Sequence, residues 1–65
     1  MEIRVWHVRK EKGVTLVQLQ KLSGVSKSCL SNIENGKTSP TLKQLERIAK
    51  GLDVKITDLF ESEYK

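Results

Sequence analysis

The chain has 65 residues, 12 basic and 8 acidic, for a net charge of +4. That length suits a single domain over residues 1–65, near the smallest that folds without a disulfide or a metal. One cysteine and one histidine exclude an internal disulfide and a paired metal site, and no nucleophile–base pair or phosphate-cradling glycine loop points to an enzyme. No cofactor, metal or small-molecule ligand is expected, and the chain is too short to hold a ligand pocket beside its helices. No apolar run is long enough to cross a bilayer. The charged start MEIRVWHVRKEKG does not read as a signal peptide, so a reducing cytoplasm is expected. Residues 1–52 carry ten basic and four acidic side chains, and residues 53–65 carry two and four. A positive body with a negative tail suits a polyanionic partner.

In chain order, residues 2–12 predict a first helix with Val5 and Val8 on its inner stripe, stopped by Gly13. Trp6 lies beside that stripe and is expected to cover the core edge against Phe60 or Tyr64, a dimer contact being the sharper alternative. Thr15 and Gln18 form the S/T-x-x-E/Q signature that opens a second helix. Leu16, Leu19 and Leu22 fall three apart and mark its apolar face. Ser23-Gly24-Val25 ends it, because Gly24 tolerates the left-handed conformation that lets a chain swing away. Ser26 caps a third helix over about residues 26–35. Its inner face carries Leu30 and Ile33, and its outer face Lys27, Ser28, Ser31 and Asn32. Lys37-Thr38-Ser39-Pro40 is a loop. Thr41, with Gln44 three residues on, opens a fourth helix whose Leu42, Leu45, Ile48, Ala49 and Leu52 give the cleanest amphipathic pattern. Val54 and Ile56 lead into a short fifth helix at about residues 56–61, with residues 62–65 a frayed tail. Val54–Thr57 alternates like a strand but has nothing to pair with, so no strand is expected. The expected fold is all-α, five short helices around one small core.

These residues resemble the Cro/CI-type helix-turn-helix family, also called the xenobiotic-response-element or lambda-repressor-like family. The resemblance runs from Val5 to Phe60 and rests on Arg9-Lys10-Glu11-Lys12-Gly13, Ser23-Gly24-Val25-Ser26, Ile33-Glu34-Asn35-Gly36-Lys37 and Pro40-Thr41-Leu42. It implies dimeric binding to double-stranded operator DNA and transcriptional control. By that resemblance Lys27, Ser28 and Asn32 occupy base-reading positions, with Ser31 between them. Asn35, Lys37 and Thr38 match a phosphate-gripping loop, and Arg9 and Glu34 match a buried ion pair.

The chemistry agrees. Lys27 suits guanine O6 and N7, and Asn32 can pair bidentately with adenine. Short serines let the backbone approach. Thr15 and Gln18 at the start of helix 2 are candidates for phosphate, as are Lys37 and Lys43 as point charges. Val54, Ile56, Leu59 and Phe60 are candidates for core closure and a homodimer seam. Leu16 stands where the family usually has glutamine, Gln20 where it prefers a small residue, and Asp53 where glycine is usual. Gln20 is expected to lay its methylenes along the gap between helices with its amide in water. Lys55 is a poor cap, so the fifth helix is expected to be the least stable element.

Each reading has a plainer counterpart. The outer face of helix 3 is what any amphipathic helix shows, and Arg9 and Glu34 taken alone are two surface charges. Cys29 reads as a small packed residue before it reads as a redox sensor. The competing function class is a protein-interaction module, antitoxin-like or adaptor, using helices 4 and 5. Salt-sensitive binding to random duplex separates the two.

Overall fold

The computed structural model describes residues 1–65. It contains β1 (Glu2–Ile3), α1 (Val5–Glu11), α2 (Leu16–Ser23), α3 (Lys27–Glu34), α4 (Leu42–Leu52), a 3-10 turn (Ile56–Leu59) and β2 (Phe60–Glu61). There are thus four α-helices rather than five. The segment predicted as a fifth helix is too short to propagate α-helical bonding against the cost of nucleation. Lys55 offers no side-chain acceptor there, and the Asp58 carboxylate instead accepts from the Lys55 N–H at 3.1 Å.

Two short strands are also present where none was expected. β1 pairs antiparallel with β2, with Glu2 opposite Glu61 and Ile3 opposite Phe60. The Arg4 N–H then donates to the Leu59 carbonyl at 2.8 Å. This clasp diverts Glu2 and Ile3 from α1, which begins at Val5 and not at residue 2. Phe60 likewise leaves the helical path for an extended one. The last residues turn back on β2, and Lys65 Nζ donates to the Phe60 carbonyl at 3.1 Å.

Helix ends follow the residues that cap them. Thr15 Oγ1 accepts from the Gln18 N–H at 3.1 Å while Gln18 Oε1 accepts from the Thr15 N–H at 2.8 Å. Thr41 and Gln44 repeat this reciprocal pair at α4, at 3.1 and 2.9 Å. α3 ends on Gly36 at φ 74°, with Lys37 N–H returning to the Asn32 carbonyl and Gly36 N–H to that of Ile33. That is the 6→1 and 5→2 pairing of a left-handed helix stop. α4 ends the same way on Asp53 at φ 56°, a conformation an L-residue adopts at a cost.

The core is one cluster: Val5, Val8, Leu19, Val25, Leu30, Ile33, Leu45, Ile48, Ala49, Leu52 and Leu59. Of the other residues predicted to line it, Leu16, Val54, Ile56 and Phe60 pack half-buried against the cluster, and two lie outside it. Leu22 is 57% exposed and Leu42 is 75% exposed. Steps of three fall about 60° short of a full turn, so Leu16 and Leu22 rotate to either side of a buried Leu19. Leu42 sits in the first turn of α4, before that helix reaches the core. α2 and α4 cross closely at Gly51, where a Cβ would lie 3.2 Å from the backbone of Leu22 and Ser23. Trp6 does not cover the core against Phe60 or Tyr64. Its ring meets the His7 ring edge-on at 5.3 Å, and Lys10 Nζ lies 5.7 Å from its centroid.

Candidate nucleic-acid interface

α3 stands on a two-residue anchor. Leu30 and Ile33, both essentially without exposure, fix its inner face in the core. Ser26 Oγ caps it by accepting from the Cys29 N–H at 3.2 Å. The helical period then turns Lys27, Ser28, Ser31 and Asn32 outward, while Cys29 packs half-buried against the core and Glu34 turns back toward α1. Lys27 and Ser28 are exposed, and Ser31 and Asn32 are partly exposed. Asn35 Nδ2 donates to Ser31 Oγ at 3.3 Å, linking the helix face to the loop that follows. In that loop Lys37 and Thr38 are exposed, and both backbone N–H groups point back to the Asn32 carbonyl, at 2.9 and 3.4 Å. Lys27, Ser28, Ser31, Asn32, Asn35, Lys37 and Thr38 therefore form one continuous run of donors and cations. Thr15 and Gln18 are exposed at the start of α2, and Lys43 is exposed in the first turn of α4. Gln18 also borders an open groove with Lys12 and Lys21, two cations that sequence reading does not place beside it.

The angle of α3 is set from behind. Arg9 Nε and Nη2 donate to the two Glu34 carboxylate oxygens at 2.8 and 2.9 Å, and Nη1 donates to the Val14 carbonyl at 3.0 Å. Both side chains are less than a tenth exposed. This planar fork joins α1 to the last residue of α3 and fixes two hydrogen bonds at once. Hydrogen bonding to the Glu34 carboxylate, reinforced by its charge, holds the Arg9 pKa above its ordinary value although burial opposes this.

Three further side chains make contacts that spacing does not reveal. Ser23 Oγ donates to the Leu19 carbonyl at 2.6 Å and accepts from the Val25 N–H at 3.1 Å, satisfying the buried turn between α2 and α3. Gln44 Nε2 donates to Cys29 Sγ at 3.4 Å, so the α4 cap also touches α3. Gln20 does not leave its amide in water: Gln20 Oε1 accepts from the Lys27 N–H at 2.6 Å.

Of the seam candidates, Leu59 is wholly enclosed by its own protomer and serves core closure alone. Val54, Ile56 and Phe60 are half-buried around it. No cluster of three histidine, cysteine or acidic side chains is placed to hold a metal, and no helix is long and apolar enough to cross a membrane.

This arrangement has known counterparts. A model of the family described as helix-turn-helix matches residues 7–59. The transcriptional regulator SlrR of Bacillus subtilis is 46% identical over 56 residues, covering 85% of this chain and 37% of that protein. SinR of the same organism is 40% identical over 63 residues, covering 95% and 57%. The chain thus spans between a third and three-fifths of the length of these relatives. The solved N-terminal DNA-binding domain of SinR from Bacillus subtilis superposes with a TM-score of 0.82 at 36% identity, covering 95% of this chain and 91% of that one. SinR solved as a complex with SinI gives 0.83 at 37%, covering 94% and 60%. An uncovered polar helix, seated on a capped helix and a glycine turn and matched along nearly its whole length, places this chain in the Cro/CI-type helix-turn-helix family.

Proposed function

We propose that the chain binds double-stranded DNA in a sequence-specific way and acts as a transcriptional regulator, a repressor by occupancy of its site. The observation that carries this reading is the uncovered outer face of α3 over a fully buried inner face. An α-helix so presented fits the major groove. Lys27, Ser28, Ser31 and Asn32 face base edges in this reading. Thr15, Gln18, Asn35, Lys37, Thr38 and Lys43 face phosphate. A homodimer with Val54, Ile56 and Phe60 at its seam sets two copies of α3 about 34 Å apart, on a palindromic site. The name of the SinR domain as DNA-binding supports the same reading. The lone half-buried thiol of Cys29 suits a reducing cytoplasm.

Selection of duplexes from a random pool tests this directly. The expected product is an enriched palindrome, bound with a log–log salt slope on the order of −7 if each protomer neutralises about four phosphates. Recovery of no preferred sequence, with salt-independent binding, refutes it. A protein partner is the second reading, supported by the solved SinR–SinI complex. Here α4 and the 3-10 turn form the contact surface, and stoichiometric association insensitive to salt is its signature.

A further inference from the structure

Helix α3 begins with a hydrogen-bond problem. The first N–H groups of a helix have no partner within it. Ser26 Oγ takes the Cys29 N–H, and the Ser26 carbonyl takes that of Leu30 at 2.9 Å. The Lys27 and Ser28 N–H groups remain. In a helix docked on DNA such groups are free to meet a phosphate. The Lys27 N–H is not free: Gln20 Oε1, from the middle of α2, accepts it at 2.6 Å.

A backbone N–H can meet only the oxygen of a carboxamide, so the bond also fixes how the Gln20 amide is turned. Its NH2 group makes no bond within the protomer. It therefore adds two outward donors beside the start of α3, in place of the one N–H that its oxygen consumes. Gln20 lies one α-helical turn before Gly24, the glycine that lets the chain swing from α2 to α3. The contact spans seven residues and closes the mouth of that turn. The far end of α3 is already fixed by the Arg9–Glu34 fork. The Gln20 bond fixes the near end, at the residue whose side chain is assigned to a base.

We infer that Gln20 is a positioning residue for DNA reading. Its carboxamide pins the first residue of α3 to α2, and so sets where Lys27 and Ser28 meet the groove. This inference rests on the proposed DNA-binding function and adds to it a determinant of sequence preference outside the reading helix.

The test uses the full chain with Gln20→Met, which keeps the length of the side chain and removes its acceptor, and Gln20→Glu, which keeps an acceptor oxygen. In the free protein, Gln20→Met should abolish the downfield shift and exchange protection of the Lys27 amide, with Cys29 and Leu30 amides unchanged. On duplexes selected by the unmodified chain, Gln20→Met should lose about fivefold to tenfold of the preference at the base pair facing Lys27. Preference at the pair facing Asn32, and the melting temperature, should hold. Gln20→Glu should restore the Lys27 amide signal and the base preference, on a weaker overall affinity caused by its charge beside phosphate. A Lys27 amide indifferent to Gln20→Met overturns the inference. So does an unchanged base preference once that amide has lost its protection. A wild-type chain with no preferred duplex removes the DNA reading itself, and the amide result, which needs no DNA, tells that failure apart.

Discussion

Removing the Glu34 carboxylate should cost this domain a large share of its stability. In Glu34→Ala the guanidinium of Arg9, a residue only 7% exposed, keeps only the Val14 carbonyl as acceptor. Two charge-assisted bonds disappear and a buried cation is left unpaired, which costs about 3–5 kcal/mol. A domain of this size has roughly 3–10 kcal/mol in total, so Glu34→Ala leaves it barely folded. At about 4–8 °C per kcal/mol, the midpoint of thermal unfolding should fall by at least about 12 °C. Arg9→Met should cost a similar amount, because the Glu34 carboxylate and the Val14 carbonyl then lose their donors. The double variant Arg9→Met/Glu34→Leu leaves no orphaned charge and should lie within about 1–2 kcal/mol of the parent. Urea titration followed by circular dichroism supplies all four corners of the cycle. Additive losses, or single variants each costing under about 1 kcal/mol, would show that the pair behaves as a solvated surface contact. The pH dependence carries a second check. Because the folded state raises the Arg9 pKa, its contribution is whole below the unfolded arginine value and is lost only as pH rises through the folded one. Stability owed to Arg9 should therefore be flat from about pH 6 to about pH 10.

Asp53→Gly should raise the thermal midpoint, since relief of the left-handed strain outweighs the added freedom of the unfolded chain by roughly 0.5–1 kcal/mol; a lower midpoint would show that Asp53 is not strained. Gly51→Val should destabilise by about 1–3 kcal/mol in the same urea titration, because its side chain must enter the α2–α4 crossing. Lys37→Ala should weaken binding to selected and random duplexes alike and reduce the magnitude of the salt slope by about one per protomer. Asn32→Ala should instead flatten preference at one base pair by about 1–3 kcal/mol; equal losses on both kinds of duplex would contradict the split between the two residues.

What could be read in advance was local. Thr15 with Gln18, and Thr41 with Gln44, announce helix starts because both partners lie within one turn. Gly24 and Gly36 announce the stops that set α3 apart, and Leu30 and Ile33 give its inner face. What escaped was set by contacts distant in sequence. A two-residue strand has no period to detect, and Ile3 finds its partner only when Phe60 returns beside it. Spacing alone places Leu22 in the core, yet Gly51 brings the α4 backbone against the Leu22 backbone and Cβ, and the rest of the leucine side chain stays exposed. Gln20 reads as a misfit for a tight helix pair because its acceptor role depends on where Lys27 arrives after the turn. For the interface, helical projection gives which side chains face outward, while the links from Asn35 to Ser31 and from Gln44 to Cys29 depend on how the loop and α4 pack against α3.

The short ladder between Glu2–Ile3 and Phe60–Glu61 makes the polypeptide nearly a closed ring. Neither end can peel away without releasing the other, so fraying at the two extremities is a single event. Its first casualty is the Arg4 amide bond to Leu59, the residue that seals the floor of the core. A covalent bridge across those ends would therefore tighten the whole molecule, and fresh termini opened in the polar loop after Gly36 would leave every helix intact.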